Sequence, residues 1–166
     1  MKILIAEDDS FFRQLLQKLL ENDFEVSTAE DGNRAWAMIE QSEPPLLAIL
    51  DWVMPGMAGP QVCRKARANP RTAMHYLILV TARNSPADIL AGMRAGADDY
   101  ITKPFEPEEL RVRVGLGRRV VELHRKLAAI QGELDHSQLR ERLLWDQLNS
   151  QRAGTSANQT TKGASA

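Results

Sequence analysis

Over the first hundred residues the apolar positions gather into short runs separated by longer amphipathic stretches. The runs cover residues 2–6, 24–28, 46–50, 76–80 and 99–102, each four or five residues long, which suits buried strands. Between them the spacing changes from two to three and four. Phe12, Leu15, Leu16, Leu19 and Leu20 follow the helical period, as do Ala35, Met38 and Ile39, and Ile89, Leu90 and Met93. Asn69-Pro70, Ser85-Pro86 and Ala95-Gly96 punctuate the joins. Five strands alternating with helices predict a doubly wound, five-stranded parallel α/β sheet with right-handed crossovers. In such a sheet, functional side chains collect beyond the carboxyl ends of the strands.

Those ends carry an unusual set of residues. The first strand runs into Glu7-Asp8-Asp9 and the third into Asp51; the fourth reaches Thr81-Ala82 and the fifth Thr102-Lys103-Pro104. Carboxylates crowded on one edge repel, so the site calls for a cation, and hard oxygen donors favour Mg²⁺. Lys103 offers a point charge to a phosphoryl group, and Thr81 a hydroxyl. A carboxylate beside a metal and an ammonium can attack phosphorus. Taken alone, an acidic pair after a strand is ordinarily a helix cap, and Asp9 or Ser10 is placed to cap the first helix. Four such features at four strand ends together point to phosphoryl acceptance on an aspartate.

These motifs resemble the receiver domain of two-component response regulators. The resemblance rests on Glu7-Asp8-Asp9, on Asp51-Trp52-Val53-Met54-Pro55-Gly56 with Gly59, and on Thr81-Ala82-Arg83. It continues through Ala95-Gly96-Ala97-Asp98-Asp99-Tyr100 and Lys103-Pro104-Phe105. It extends without a gap from residue 2 to about 122. It implies a flavodoxin-like (βα)5 fold and Asp51 as the phosphoacceptor, charged by a histidine kinase or phosphotransfer protein. It also implies Mg²⁺ held by Asp8 and Asp51, by Glu7 through water, and by the backbone carbonyl of Val53. Thr81 and Lys103 would hold the phosphoryl oxygens, the Lys103–Pro104 bond would be cis, and Tyr100 would turn from an exposed to a buried rotamer. The fourth helix, fifth strand and fifth helix would form the face that changes. Ala58 stands where the loop often has an aspartate, with a local effect on the turn expected. Val53 is apolar and cannot orient an attacking water, so slow hydrolysis of the phosphoryl group is expected.

The apolar pattern does not stop with the fifth helix. Glu106-Pro107-Glu108-Glu109 is a helix start, with proline and acids in the first turn. From there Leu116, Val120, Leu123, Leu127, Ile130, Leu134, Ser137, Glu141, Leu144 and Leu148 alternate in steps of four and three. That is a coiled-coil seam with two polar positions, Ser137 and Glu141. A helix over 107–148 would be roughly 60 Å long, too long to stand alone in water. A second stripe, Leu110, Val114, Gly117 and Val121, is expected to pack on the receiver. Gly115 and Gly117 leave two roles open, close packing or a bend.

Charge refines this division. Residues 1–104 carry 11 basic and 14 acidic side chains, 105–150 carry eight of each, and 151–166 carry two basic and no acidic ones. The segments expected are a receiver over 1–122, a coiled-coil extension over 123–149 and a disordered polar tail over 150–166. Arg111, Arg113, Arg118, Arg119, Arg125 and Lys126 are balanced by acids in the same segment. They read as a solvated helix face, and no direct nucleic-acid contact is expected.

With 166 residues, 18.6 kDa and a net charge of −1, the chain is no obvious polyanion binder. Cys63 is the sole cysteine, which rules out an internal disulfide and suits a reducing compartment. No apolar run exceeds five residues, so no membrane span is expected. Glu7-Asp8-Asp9 follows too soon for a secretory signal, and a cytoplasmic location is expected. The leading expectation for function is a phosphorylation-controlled receiver that passes its state through a parallel coiled-coil homodimer to an output domain. The arginine-rich helix is similar to linkers that precede diguanylate cyclase domains. One alternative is a complete single-domain regulator acting by protein binding. Another, less supported, is a Mg²⁺-dependent aspartyl phosphatase.

Overall fold

The structure, a computed structural model, describes the backbone of residues 1–160 and the side chains of residues 1–147 and 149. Its strands are β1 (Lys2–Ala6), β2 (Glu25–Ala29), β3 (Leu47–Asp51), β4 (Tyr76–Thr81) and β5 (Asp99–Thr102). They alternate with α1 (Ser10–Leu20), α2 (Gly32–Gln41), α3 (Gly59–Ala68), α4 (Pro86–Arg94) and α5 (Pro107–Thr160). The sheet is parallel throughout, in the order β2-β1-β3-β4-β5. The chain leaves β1 to one side for β2 and crosses back for β3, so β1 and β3 flank the point where the winding reverses.

Period-two alternation divides the strand side chains between two cores. Leu4, Ala6, Ala48, Leu50, Leu77 and Leu79 meet Ala35, Ile39, Val62 and Cys63 from α2 and α3. Ile3, Ile5, Leu47, Ile49, Ile78, Val80 and Ile101 meet Leu16 and Leu20 of α1 and Leu110, Val114 and Val121 of α5. The second stripe on the fifth helix is thus the face buried in the receiver. Relative to the apolar runs, β2 and β3 are each displaced one residue toward the carboxyl end. The cause in β3 is the ladder, where Asp51 is still paired with Val80.

Side-chain caps start three helices. Asp9 accepts from Phe12 N at 3.0 Å, Asp31 from Arg34 N at 2.8 Å, and Ser85 from Asp88 N at 3.1 Å. Ala58 precedes α3 with nothing to offer, but Gln61 Oε1 accepts from its N–H at 2.9 Å, one half of a capping box. On α4, Ile89, Leu90 and Met93 stay largely exposed, while Gly92 is the buried residue. A Cβ on Gly92 would come 3.1 Å from both Trp52 and Tyr100, so the helix closes over two rings.

Two compact units divide the chain, one spanning Met1–Arg125 and one beginning at Lys126. In the first, α5 is tied down by His124, hydrogen-bonded to the Met74 carbonyl, and by Arg125, which donates to the Pro45 carbonyl at 3.2 Å. The second is helix, with Leu127, Ile130, Leu134, Leu139, Leu143, Leu144 and Trp145 exposed. The Leu148 side chain and residues 161–166 lie outside the described residues, and so do the side chains of the tail from Ser150 on.

Candidate functional site

β3 is buried on both faces and ends in Asp51, whose carboxylate sits at the carboxyl edge of the sheet and is itself buried. The turn that follows folds back so that Val53 N–H donates to Asp51 Oδ2 at 2.9 Å. From the end of β5, Lys103 Nζ donates to Asp51 Oδ1 at 3.0 Å and to Glu7 Oε2 at 2.6 Å. The same ammonium lies 4.4 Å from the centre of the Phe12 ring. The Lys103–Pro104 bond is cis, as is Pro44–Pro45. Asp8 follows Glu7 but is exposed, and Arg13 steadies that turn by donating to the carbonyls of Glu7 at 2.7 Å and Asp8 at 3.1 Å.

Burial sets the electrostatics. It pushes the Glu7 carboxyl above its ordinary value, and the Asp51 charge adds to the rise, so the hydrogen bond from Lys103 offsets it only in part. Burial alone would lower the Lys103 ammonium, but its hydrogen bonds to Glu7 and Asp51 more than compensate, and it is held charged. The edge therefore has more carboxylate than cation. Oxygens of Glu7, Asp8 and Asp51 all lie within 4.8 Å of one another. Two ligands on one Mg²⁺ stand at most about 4.2 Å apart, so small side-chain rotations bring the three to one ion. Three hard oxygen donors, two of them buried, fit that ion well.

Thr81 ends β4, almost fully buried, and its Oγ1 accepts from Arg83 N–H at 3.2 Å. Tyr100 already occupies the buried rotamer that was expected only after phosphorylation: it is 7% exposed, with its hydroxyl donating to the Arg83 carbonyl at 2.8 Å and its ring set edgewise to Trp52 at 6.1 Å. The structure thus gathers Glu7, Asp8, Asp51 and Lys103 in one cluster and joins Thr81 to Tyr100 through Arg83. Asp9 belongs to the helix cap and not to the cluster. Of the seam residues, Leu116, Leu123, Leu127, Ile130, Leu134 and Leu144 are 48–60% exposed, and Val120 is half-buried. Sequence reasoning missed Arg13, placed Phe12 only in the helical pattern, and quoted Trp52 and Arg83 without a role. Only Trp52 and Arg83 carried a signal, their positions one and two residues past Asp51 and Thr81. A cavity of about 900 Å³ lies at the amino ends of β1 and β2, beside Lys2, Glu25, Ser42 and Arg125. It is at the opposite edge from the carboxylates.

A parallel five-stranded sheet with carboxylates and a lysine at its carboxyl edge defines a class of phosphoryl-handling signalling folds. Residues 3–115 match the response regulator receiver domain, and the chain belongs to that family. Its members are receivers of two-component systems, phosphorylated on an aspartate by a histidine kinase. The phosphate regulon transcriptional regulatory protein PhoB of Rhizobium meliloti (strain 1021) is 40% identical over 114 residues, covering 68% of this chain and 50% of the relative. The receiver domain of the Francisella response regulator 1452 superposes with a TM-score of 0.65 at 30% identity, over 71% of this chain and 96% of that one. The receiver domain of the sensor histidine kinase PA1611 from Pseudomonas aeruginosa PAO1, with a magnesium ion coordinated in its active-site cleft, gives a TM-score of 0.62 at 25% identity. That match covers 73% of this chain and 97% of the other. The chain spans about half the length of the curated relatives it matches first.

Proposed function

We propose that Asp51 is the phosphoacceptor and that the chain converts its phosphorylation into a change in the α4-β5-α5 face and the helix beyond. One observation carries this reading: buried Asp51 lies 3.0 Å from the Lys103 ammonium and within 4.8 Å of the Glu7 and Asp8 carboxylates. An Asp51 oxygen attacks the phosphorus of a phosphohistidine on a kinase or phosphotransfer protein. The P–O bond forms as the P–N bond breaks, and the imidazole leaves and takes up a proton. Lys103 balances the charge arriving on the phosphoryl oxygens, and Thr81 turns its hydroxyl toward them. Asp8 and Asp51 directly, Glu7 through water and the Val53 carbonyl would hold Mg²⁺, which would supply charge to neutralise the carboxylates and the arriving phosphoryl group. Val53 has no group to orient water, so the phosphoryl group should persist for minutes to hours, which the decay of purified phosphoprotein would test.

Past the receiver, the seam Leu116, Val120, Leu123, Leu127, Ile130, Leu134, Leu144 and Leu148 pairs with a second copy in parallel and relays the state to an output element. The arginine-rich helix is what speaks for a diguanylate cyclase as that output; the PhoB relative is by name a transcriptional regulator. The exposed Ile89, Leu90, Met93 and Val112 favour a second reading, in which this face docks another protein directly. Among the described residues no helix is long and apolar enough to cross a membrane.

The test is intact mass after incubation with Mg²⁺ and acetyl phosphate. The chain should gain one phosphoryl group and Asp51→Asn none. Equal gain by Asp51→Asn would move the acceptor elsewhere.

A further inference from the structure

Arg83 makes more long-distance connections around the switch than its surface position suggests. Its N–H donates to Thr81 Oγ1 at 3.2 Å, and its carbonyl accepts from the Tyr100 hydroxyl at 2.8 Å. Its guanidinium donates to Asp88 Oδ1 at 3.1 Å and lies 5.4 Å from the centre of the Trp52 ring. Asp88 stands in the first turn of α4, where its other oxygen accepts from the capping Ser85 hydroxyl at 2.6 Å. Trp52 adjoins Asp51 in the chain and reaches under α4 at Gly92. None of these contacts serves the charge balance at Asp51, which Lys103 supplies.

We propose that Arg83 is the positioning residue that carries the orientation of the Thr81 hydroxyl to the first turn of α4. This rests on the reading of Thr81 as a ligand of the phosphoryl group. When that hydroxyl turns toward a phosphoryl oxygen, Arg83 N–H loses its acceptor and the loop between β4 and α4 shifts. The backbone shift draws the guanidinium off Asp88 and the Trp52 ring, and the α4 cap loses its brace. A half-exposed ion pair is weak enough to break and re-form readily, as an element with two populated states requires. An ordinary surface pair would brace α4 equally in both states. The two accounts therefore differ only in dependence on loading.

Hydrogen exchange of residues 84–92 in the full chain, with and without Mg²⁺ plus beryllofluoride, separates them. Fluorine NMR reports loading independently. In the unmodified chain, loading should speed exchange in the first turn of α4 several-fold. Arg83→Ala should load but exchange fast in both states, so that the difference vanishes. Asp88→Asn, which removes the same pair from the other end, should do likewise. Arg83→Lys should keep part of the difference, because lysine retains the charge but not the planar stack. If Arg83→Ala or Asp88→Asn loads and keeps a difference of unmodified size, the proposal is wrong. It is equally wrong if the unmodified chain loads without any change in α4. A chain that fails to load at all overturns the phosphoryl reading of Asp51, and this inference with it; the fluorine signal tells that case from the others.

Discussion

Lys103 Nζ stands 3.0 Å from Asp51 Oδ1, although β4 lies between their strands, and the same ammonium reaches Glu7 Oε2 at 2.6 Å. One cation thus serves two buried carboxylates and occupies the charge that a metal would otherwise neutralise. Its removal should act in opposite directions on two ligands. Lys103→Met should bind Mg²⁺ about tenfold more tightly, since a like charge has gone from beside the site. It should load beryllofluoride far less well, since the anion has lost its ammonium. Calorimetric titration with Mg²⁺ and fluorine NMR of loading check the two signs. Weaker binding of both ligands would mean that Lys103 chiefly maintains the local fold.

Gly115 and Gly117 lie two residues apart on α5 and should respond oppositely to alanine. A Cβ on Gly117 would meet the Tyr76 ring at 2.6 Å and Leu47 Cδ1 at 2.8 Å, inside the core beneath the sheet. Gly117→Ala should destabilise the receiver by about 1–3 kcal/mol through overpacking. Gly115 has nothing within 4 Å of such an atom. Gly115→Ala should stabilise by about 0.5–1 kcal/mol, the ordinary helical cost of glycine. Urea midpoints of the two variants decide it.

The sheet and its functional edge were legible because each strand is a short apolar run with its chemistry directly after it. Glu7, Asp51, Thr81 and Lys103 could be placed at one edge without coordinates, since parallel strands share a direction. The stripe Leu110, Val114, Gly117 and Val121 already put Gly117 on the face expected to be buried. How closely the Tyr76 ring and Leu47 approach it was not legible, because that distance is set by packing across the core. Arg67 was missed for a similar reason. It donates to the carbonyls of Ala73, His75 and Gly96 and to the Asp98 carboxylate, and the three backbone acceptors leave no trace in residue type. The contacts of Arg83 escaped because an arginine in a loop is usually solvated.

His75 makes stability depend on pH. It is buried, with Nδ1 accepting from Leu46 N–H at 3.0 Å and Nε2 beside Ser42 Oγ at 3.2 Å. An accepting Nδ1 requires the neutral ring with its proton on Nε2. Burial holds its pKa below the ordinary 6.5; Arg67 adds to the depression, and the Ile39 carbonyl opposes it. The unfolded chain therefore takes up the proton first as pH falls. The contribution is complete above pH ~6.5 and is lost below it, by up to about 1.4 kcal/mol per pH unit, until the folded ring protonates. His75→Gln should be less stable at pH 7.5 but lose this part of the acid dependence. Urea unfolding between pH 7.5 and 5.5 on both proteins measures the difference in slope.

Leu127 and Leu134 should govern association and leave phosphorylation alone. Both are about half exposed or more in a single copy, on a helix whose isolated stability in water is marginal. In a parallel pair in register, each leucine meets its own copy, and Ser137 and Glu141 also meet theirs, so polar faces polar and apolar faces apolar. An antiparallel pair that sets 127 against 130 instead puts Glu141 against Leu116 and Ser137 against Val120. The polar positions thus weigh against that antiparallel register, while the two Glu141 carboxylates facing each other in the parallel pair cost stability. Replacing Leu127 and Leu134 together by Gln removes the apolar layers on either side of Ile130 and should reduce the mass by light scattering from dimer to monomer at micromolar concentration. Phosphoryl gain at Asp51 should be unchanged, because the cluster around Lys103 contains no residue of the seam. A dimer in every condition that changes shape with beryllofluoride would mean a permanent coil acting as a relay. A dimer formed only with beryllofluoride would mean that phosphorylation controls association itself. A double variant that keeps the dimer mass would place the interface off this seam, with the exposed Ile89, Leu90 and Met93 of α4 as the next surface to alter.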